Sequence, residues 1–378
     1  KKNFTLLNNA HVNKINASVE KVDSVSCVIE DKKVLVKAKH FVLASGGIES
    51  PRLLLASKNN LHPRGIGNKK NLVGRYYMSH LSGIFLNLNP YNREKILYKY
   101  EKDIGGIYCR RRWWITDIFQ KKKKIGNLIF FLTYTNDFKG MGYAGYIYSF
   151  VYLLKFILSV YKKIITNNYK FSLKKKEKEL LIYNFKIFIK NFFILIPKII
   201  IIAFQRLKKN RLPSILPEID SKFLGLYFQS EQTPCYKSRI TVIENQKDSL
   251  GMPKVKVKIK FNEIDKKTIL KAHEYFIQRY TNIKAGEFQK KYSKKILVHL
   301  LEKKLKNFNS ISHHLGTTRM AKNDKTGVVD KNCKVFGFKN LFIASSSVFP
   351  TGGHANPTLT IIALALRLSD YLRKKFKK

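Results

Sequence analysis

The order of apolar and polar positions predicts three kinds of region along this chain of 378 residues. Residues 3–45 alternate short apolar runs with polar breaks, which is typical of a meander of strands. Residues 140–210 hold long apolar stretches broken by lysines, which indicate helices. Two alternating segments, Ser238–Ile243 and Lys254–Phe261, flank a turn-rich stretch, so we expect them to pair as an antiparallel hairpin. Helical patterns fill residues from about 263 to 305.

A strand, a glycine pair and a helix follow one another early in the chain. Phe41–Ala44 is apolar throughout, as a strand buried on both faces should be. Gly46 and Gly47 come next, and Glu49–Ser57 then carries its apolar residues on one side of a predicted helix. Backbone can approach a ligand closely at such a point. A plain tight turn is the other interpretation of the glycine pair.

A similar order of elements recurs near the carboxyl-terminal end. Leu341–Ala344 predicts a buried strand, a run of three serines follows it, and Thr358–Leu372 is apolar almost all round, which predicts a buried helix. Asn356 and Pro357 have the form of an N-cap followed by proline at the first helical position. The N-terminus of that helix suits an anionic ligand or a developing negative charge. A simple connection from a strand to a core helix fits the same pattern.

The charge balance is strongly basic, with 73 Lys and Arg against 25 Asp and Glu and a formal net charge of +48. Such a charge favours contact with nucleic acid or an anionic membrane. The lysines are spread along the whole chain together with many Ile and Asn residues, as coding bias with lysines on the surface would also produce. Because no nucleic-acid-binding signature accompanies the charge, we expect no nucleic-acid partner. We expect a cytoplasmic protein, with peripheral membrane contact as an open alternative.

The lysine-broken region between residues 140 and 210 bears on that alternative. A membrane-spanning helix needs about 20 predominantly apolar residues with few charges. Gly140–Tyr161 is borderline, and Leu180–Gln205 carries too many lysines. Two interpretations stay open: helices that lie on a membrane surface with lysines towards lipid phosphates, and a helical insertion with a solvated basic face.

The four cysteines and two adjacent histidines are the next candidates for chemistry. The cysteines, at positions 27, 109, 235 and 333, are far apart without a CxxC pair, which argues against a disulfide framework or a metal site. The segment SHHLGTTRM, residues 312–320, places His313 and His314 before a Gly-Thr turn. A partly desolvated histidine can accept a proton near neutral pH. Structural histidines that bond turn backbone are the alternative.

Taken together, these segments resemble the glucose-methanol-choline (GMC) family of flavin-dependent oxidoreductases. Four parts carry the resemblance in the family's order and spacing: ASGGIESPRLLLAS (44–57), NLVGRYYMSH (71–80), EQTPCYKSRITV with LGMPKVKVKI (231–259), and the stretch from HHLGTTRM to NPTLTIIALA (313–365). The resemblance implies an α/β plus α+β fold. An incomplete FAD-binding domain of Rossmann type, residues 1–85 and 313–378, would be interleaved with an antiparallel-sheet substrate domain, residues 226–312. Residues 86–225 would form a helical cap insertion.

The resemblance also implies an activity, the oxidation of an alcohol or sugar CH–OH group by hydride transfer to FAD. His313 falls on the family's general base, because residues 313–317 fit the pattern H-x-x-G-T, and Asn356 falls on the second catalytic position. The cofactor-binding positions implied are Val12, Ala44, Ser45, Gly46, Ser345, Ser346, Asn356, Pro357 and Thr358. Ser345 stands where the family often has Asp. The alcohol oxidised and the electron acceptor, whether oxygen, a quinone or a cytochrome, stay open.

One departure from the family concerns its phosphate-binding turn. No GxGxxG, the turn that holds the FAD pyrophosphate, precedes the first family-like segment (44–57) of this sequence. The resemblance therefore predicts that the natural protein begins earlier and that residues 1–378 alone hold FAD weakly or not at all. The competing hypotheses are a basic membrane-surface or nucleic-acid-binding protein, or a non-catalytic scaffold, that retains a degenerate oxidoreductase fold.

Overall fold

A computed structural model describes residues 4–92, 101–133, 144–165, 175–190, 222–308 and 313–376, with six further positions between 192 and 204. The elements, in chain order, are β1 Ala10–Ala17, β2 Val22–Ile29, β3 Lys32–Val36, β4 Phe41–Leu43, α1 Gly46–Ala56, β5 Leu81–Pro90, β6 Glu101–Lys102, β7 Tyr108–Cys109, β8 Trp113–Trp114, α2 Asp117–Lys123, β9 Leu128–Thr133, α3 Ala144–Ile165, α4 Lys175–Lys190, β10 Leu224–Ser230, β11 Arg239–Lys247, β12 Pro253–Lys258, α5 Glu263–Asn282, β13 Gly286–Phe288, α6 Lys294–Lys306, β14 Leu341–Ile343 and α7 Thr358–Phe376.

The predicted meander is confirmed for three strands. β1, β2 and β3 form an antiparallel sheet in that order, and its buried positions alternate along the first two strands, as at Ile15, Ala17, Val22 and Ser24. Residues 4–9, before β1, lie outside any strand. The hairpin predicted between residues 238 and 261 is also present, because β11 pairs with β12 antiparallel.

β4 and β14 form a parallel pair although almost 300 residues separate them in the chain. The prediction that the β4 strand is buried on both faces is wrong. Phe41 and Leu43 are buried, but Val42 is 43% exposed because it points into a cavity. The helix that follows begins at Gly46 rather than at Glu49, so the glycine pair belongs to its first turn.

The prediction that the last helix is buried all round is also wrong. α7 packs Leu368 and neighbouring apolar residues against the β4–β14 core, but Leu359, Ile362 and Leu366 are 80%, 52% and 63% exposed. The pair of strands is too narrow to bury more than one face of this helix. No described element covers the other face.

Five strands form a separate antiparallel sheet in the order β13-β5-β10-β9-β8. Its strands come from four widely spaced parts of the chain, and α5 and α6 pack against it. Its interior is aromatic: the fully buried His273 of α5 lies among Phe85, Phe130 and Phe228, with ring centroids 4.9–5.1 Å apart. This sheet builds the second of two cores, and the first surrounds β4 and β14.

α3 and α4 pack against each other, with Phe150 stacked on Phe188. Within the described parts of the chain, none of the helices has the length and apolar character needed to cross a membrane. The remainder of the lysine-broken region, between residues 191 and 210, lies largely outside the described residues. All four cysteines are free.

Candidate active site

His313 lies beside a second histidine from a distant part of the chain. Its Nδ1 atom is 2.9 Å from Nδ1 of His80, and the two rings meet edge to face with centroids 4.8 Å apart. Met78 and Leu315 exchange two backbone hydrogen bonds that hold the two segments together. His313 has a left-handed φ of 57°. Residues other than glycine rarely adopt this conformation, and those that do are frequent at functional sites. The structure therefore pairs the predicted base with another imidazole, and that partner is only 2% exposed.

His314 makes a different set of contacts. Its Nδ1 atom is 2.8 Å from the hydroxyl of Tyr77, which is completely buried, and burial raises the pKa of that tyrosine to about 12. The His314 carbonyl accepts a hydrogen bond of 2.6 Å from Ser346 Oγ. A Cβ atom on Gly47 would lie only 2.5 Å from the same carbonyl oxygen, so the backbone of α1 packs tightly here. These contacts tie His314 into the protein framework.

The histidines at this place are held neutral by their surroundings. Burial, reinforced by His313 and His354, lowers the pKa of His80 to about 4 although a Gly353 backbone contact opposes the shift. Burial also lowers the pKa of His313. The pKa of His354 is lowered by burial and by Arg112. A neutral imidazole has a lone pair, so His313 can accept a proton at neutral pH.

The loop before α7 is fastened to the five-stranded sheet. Gln229 of β10 donates from Nε2 to Oδ1 of Asn356 at 3.1 Å and also to the carbonyl of His354. His354 Nδ1 lies 2.9 Å from Oδ1 of Asn127. Since His80 interacts with Gly353 and His354, this loop lies next to the His80–His313 pair.

The predicted N-cap role of Asn356 does not match the structure. α7 begins at Thr358, so Pro357 occupies the position before the first helical residue. The Asn356 side chain bonds Gln229 instead of a helix N–H group. Because Asn356 is exposed and its oxygen is already paired, its Nδ2 group is the donor left for a ligand.

Three of the predicted cofactor positions line one cavity. Val12, Ala44 and Ser45 border a space of about 420 Å³, together with Val42 and Leu250. The cavity opens where β4 ends, and β14 ends at the same edge because the two strands are parallel. Ligands of open α/β sheets bind outside the carboxyl ends of the strands.

A second group of predicted positions forms a compact polar turn. Ser345 Oγ is 3.5 Å from the Gly46 carbonyl and 2.6 Å from Ser347 Oγ, while Ser346 reaches the His314 carbonyl. Pro357 is buried and Thr358 is exposed at the start of α7, outside this turn. The structure thus gathers Gly46, Ser345 and Ser346 near the histidine segment.

Sequence reasoning missed His80, Gln229 and Asn127. His80 ends the segment 71–80, which carried part of the resemblance, so a polar residue directly before β5 was a usable signal. Gln229 and Asn127 gave none, because their positions depend on the register in which β9 and β10 pair. Across the part of the chain that the structure describes, no group of three or more His, Cys, Asp or Glu side chains is arranged to hold a metal ion.

Known proteins share this architecture. The fold is similar to that of an FAD-dependent oxidoreductase from Chaetomium thermophilum, with a TM-score of 0.51 at 14% identity over 98% of this chain and 61% of the other. A variant of the formate oxidase of Aspergillus oryzae gives a TM-score of 0.50 at 16% identity, over 97% and 60%. At these identities the likeness shows the mixed α/β fold alone.

Sequence comparison goes further. The chain is 23% identical over 342 residues to 2-methyl-1,2-propanediol dehydrogenase of Mycolicibacterium austroafricanum, covering 90% of this chain and 49% of the relative. It is 22% identical over 346 residues to the fructose dehydrogenase large subunit of Gluconobacter japonicus, covering 91% and 48%. The chain spans about half the length of these curated relatives. The GMC oxidoreductase family matches through its N-terminal model over residues 1–82 and its C-terminal model over residues 234–365. The chain therefore belongs to the GMC oxidoreductase family of flavoproteins.

Proposed function

We propose that this protein oxidises the CH–OH group of a small alcohol or sugar with FAD as the hydride acceptor, and that His313 is the general base. The observation that carries the proposal is the neutral His313 imidazole, held against buried His80 and next to the loop of Asn356. The two relatives, named for a diol and for fructose, support a polyhydroxy substrate.

The described residues fit part of an FAD molecule, and no GxGxxG turn for its pyrophosphate precedes α1. Val12, Ala44 and Ser45 border an open cavity at the carboxyl edge of the parallel strands. Gly46, with φ of 81°, has no atom within 4 Å of the place where a Cβ would stand, so the entrance to α1 is open. Thr358, Leu359 and Thr360 are exposed in the first turn of α7, where backbone N–H groups lack helical partners. When bound, the flavin supplies the redox chemistry by accepting the hydride.

The chain's own residues would handle the hydroxyl group. Since His80 engages Nδ1 of His313, Nε2 takes the hydroxyl proton when Nδ1 carries the ring proton. Loss of that proton gives alkoxide character to the oxygen and makes the hydride on its carbon easier to remove. Gln229 holds the Asn356 amide by its oxygen, which leaves Nδ2 to donate to the same charged oxygen.

The test is anaerobic bleaching of flavin absorbance in the full-length flavin-loaded protein on addition of diols, simple alcohols and sugars. At least one of these classes should bleach the flavin, and His313→Ala should slow the bleaching. If none of the three classes bleaches the flavin of folded protein, the proposed reaction is wrong.

The α3–α4 pair favours a second proposal, attachment to an anionic membrane surface such as the cytoplasmic leaflet. Leu154, Ile157, Leu158 and Tyr161 recur at the spacing of one helix face and are 44–62% exposed. On α4, Ile182, Phe185 and Ile189 form a similar exposed stripe, although each helix also packs against the other. Residues 144–190 contain ten lysines and two glutamates, a charge balance that complements anionic lipid headgroups.

Sedimentation with anionic and neutral vesicles tests this attachment. The protein should sediment with anionic vesicles at low salt and be released at high salt, because each Lys near such a surface contributes about 1 kcal/mol that salt screens. Phe185→Asp with Ile189→Asp should abolish sedimentation, whereas Ile283→Asp, at an exposed isoleucine outside the pair, should not. Absence of binding at low salt, or equal binding to neutral vesicles, would contradict the proposal.

A further inference from the structure

We propose that His80 is a positioning residue, which accepts a hydrogen bond from His313 Nδ1–H and so fixes His313 in the tautomer whose Nε2 is free to act as base. The proposal rests on the proposed function for its catalytic meaning. The hydrogen bond itself can be tested without substrate.

The contact between the two rings requires one of them to donate. Two imidazole nitrogens 2.9 Å apart form a hydrogen bond only if one carries a proton and the other a lone pair. If His313 donates from Nδ1, its neutral ring keeps the lone pair on Nε2. If His80 donates instead, neutral His313 carries its proton on Nε2 and has no free lone pair. The direction of this one bond therefore decides whether His313 can accept the substrate proton.

The surroundings of His80 favour the first direction. Burial keeps the ring neutral, with a pKa of about 4, so it has a single N–H. A hydrogen-bonding contact with the Gly353 backbone raises this pKa, which indicates that a ring N–H donates to the carbonyl oxygen. His80 Nε2 is buried and makes no well-aligned hydrogen bond in the described structure. Because Nδ1 faces His313, Nε2 is the ring nitrogen left for the Gly353 contact, and a proton on Nδ1 would leave Nε2 as a bare buried lone pair.

The charged groups near His80 do not favour its protonated form. The titratable groups that act on the His80 ring are His313 and His354, and both have lowered pKa values themselves. The charge that acts on His354 comes from Arg112. These groups oppose protonation of the histidines, so both rings of the His80–His313 pair stay neutral. The hydrogen bond between two neutral rings, not an ionic attraction, then holds the pair together.

The neighbouring histidine provides a matched control. His314 is also hydrogen-bonded through Nδ1 to a buried side chain, that of Tyr77. Tyr77→Phe removes that bond from the adjacent ring without touching His80. His80→Asn keeps an acceptor, because the Asn oxygen falls near the place of Nδ1, whereas His80→Phe removes it.

The test is nitrogen NMR of the full-length protein labelled with ¹⁵N-histidine, combined with anaerobic flavin reduction. His313 should show a protonated Nδ1 and an unprotonated Nε2 in wild type, in His80→Asn and in Tyr77→Phe. In His80→Phe the tautomer should change, and flavin reduction should slow by about 10²-fold, as misplacement of a catalytic group does.

Two results would overturn the proposal: a protonated Nε2 on His313 in wild type, or an unchanged tautomer in folded His80→Phe. A failure of the proposed function looks different. In that case His313→Ala would reduce flavin at the wild-type rate, whatever the tautomer of His313.

Discussion

The β4–β14 region and the five-stranded sheet contribute different chemistry to the same site. The first offers short side chains and backbone groups that bond one another: Ser345 bonds Ser347, Thr318 bonds Ser347, and Thr317 donates to the Gly47 carbonyl. The segment leading into the sheet supplies His80, which contacts the His313 ring. The sheet itself supplies Gln229, which donates a hydrogen bond to the Asn356 amide oxygen. The first region is bonded within itself, and the second holds the two side chains to which we assign proton transfer and hydrogen bonding to the substrate.

The two regions also differ in how completely they are packed. The sheet buries His273 entirely among aromatic rings. The β4–β14 region instead leaves a cavity at Val42 and an exposed apolar face on α7. We infer that substitutions within the sheet affect the stability of the fold and the orientation of the site residues. Substitutions at the boundary between the two regions should affect the rate of flavin reduction.

The largest expected effect separates the two adjacent histidines. His313→Ala in the flavin-loaded protein should slow flavin reduction by about 10²–10⁴-fold, because it removes the proposed general base. His314→Ala, which loses a bond to Tyr77, should act mainly on thermal stability. Rapid-mixing absorbance and melting curves measure both. A greater rate loss in His314→Ala would show that the motif is displaced by one residue.

The next effect concerns Asn356. Asn356→Asp keeps the oxygen that accepts from Gln229, so the variant should melt near wild type. It replaces the Nδ2 donor by a carboxylate, and loss of one such donor costs about 10²–10³ in rate. Wild-type reduction kinetics in this variant would remove Asn356 from the catalytic assignment.

His273 should make the sheet region sensitive to acid. Burial lowers its pKa from the ordinary 6.5 to about 4, so the unfolded chain binds this proton first as the pH falls. The free energy of unfolding should therefore drop between pH 6.5 and 4 by about 3 kcal/mol for this group, with no further loss below that range. His273→Phe should flatten the dependence in denaturant titrations, and His299→Gln, at an exposed position of α6, should not. An equally steep dependence in His273→Phe would contradict the assignment.

The smallest effect tests the packing between α1 and the histidine segment. Gly47→Ala would place a Cβ 2.5 Å from the His314 carbonyl oxygen, so the free energy of unfolding should fall by about 1–3 kcal/mol. Gly353→Ala is the control for stability, because no atom lies within 4 Å of its Cβ position. Equal melting temperatures for the two variants would mean that the contact relaxes without cost.

Local patterns predicted the elements whose partners are near in sequence or whose period is clear. Alternation was enough for the β1–β3 meander and for the β11–β12 hairpin. The apolar sequence of α7 predicted too much burial, since it does not show how much of the helix surface the neighbours cover. The likeness to the family placed His313, whereas the His80 contact needed the long-range pairing of residues 78 and 315.

The most direct measurement of the central claim is a crystal structure of the flavin-loaded full-length protein with a bound unreactive alcohol analogue. The hydroxyl oxygen should lie within hydrogen-bond distance, about 2.6–3.2 Å, of both His313 Nε2 and Asn356 Nδ2, with His80 still bonded to His313 Nδ1. A hydroxyl held by His314 or His354, with the His313 ring turned away, would contradict the account.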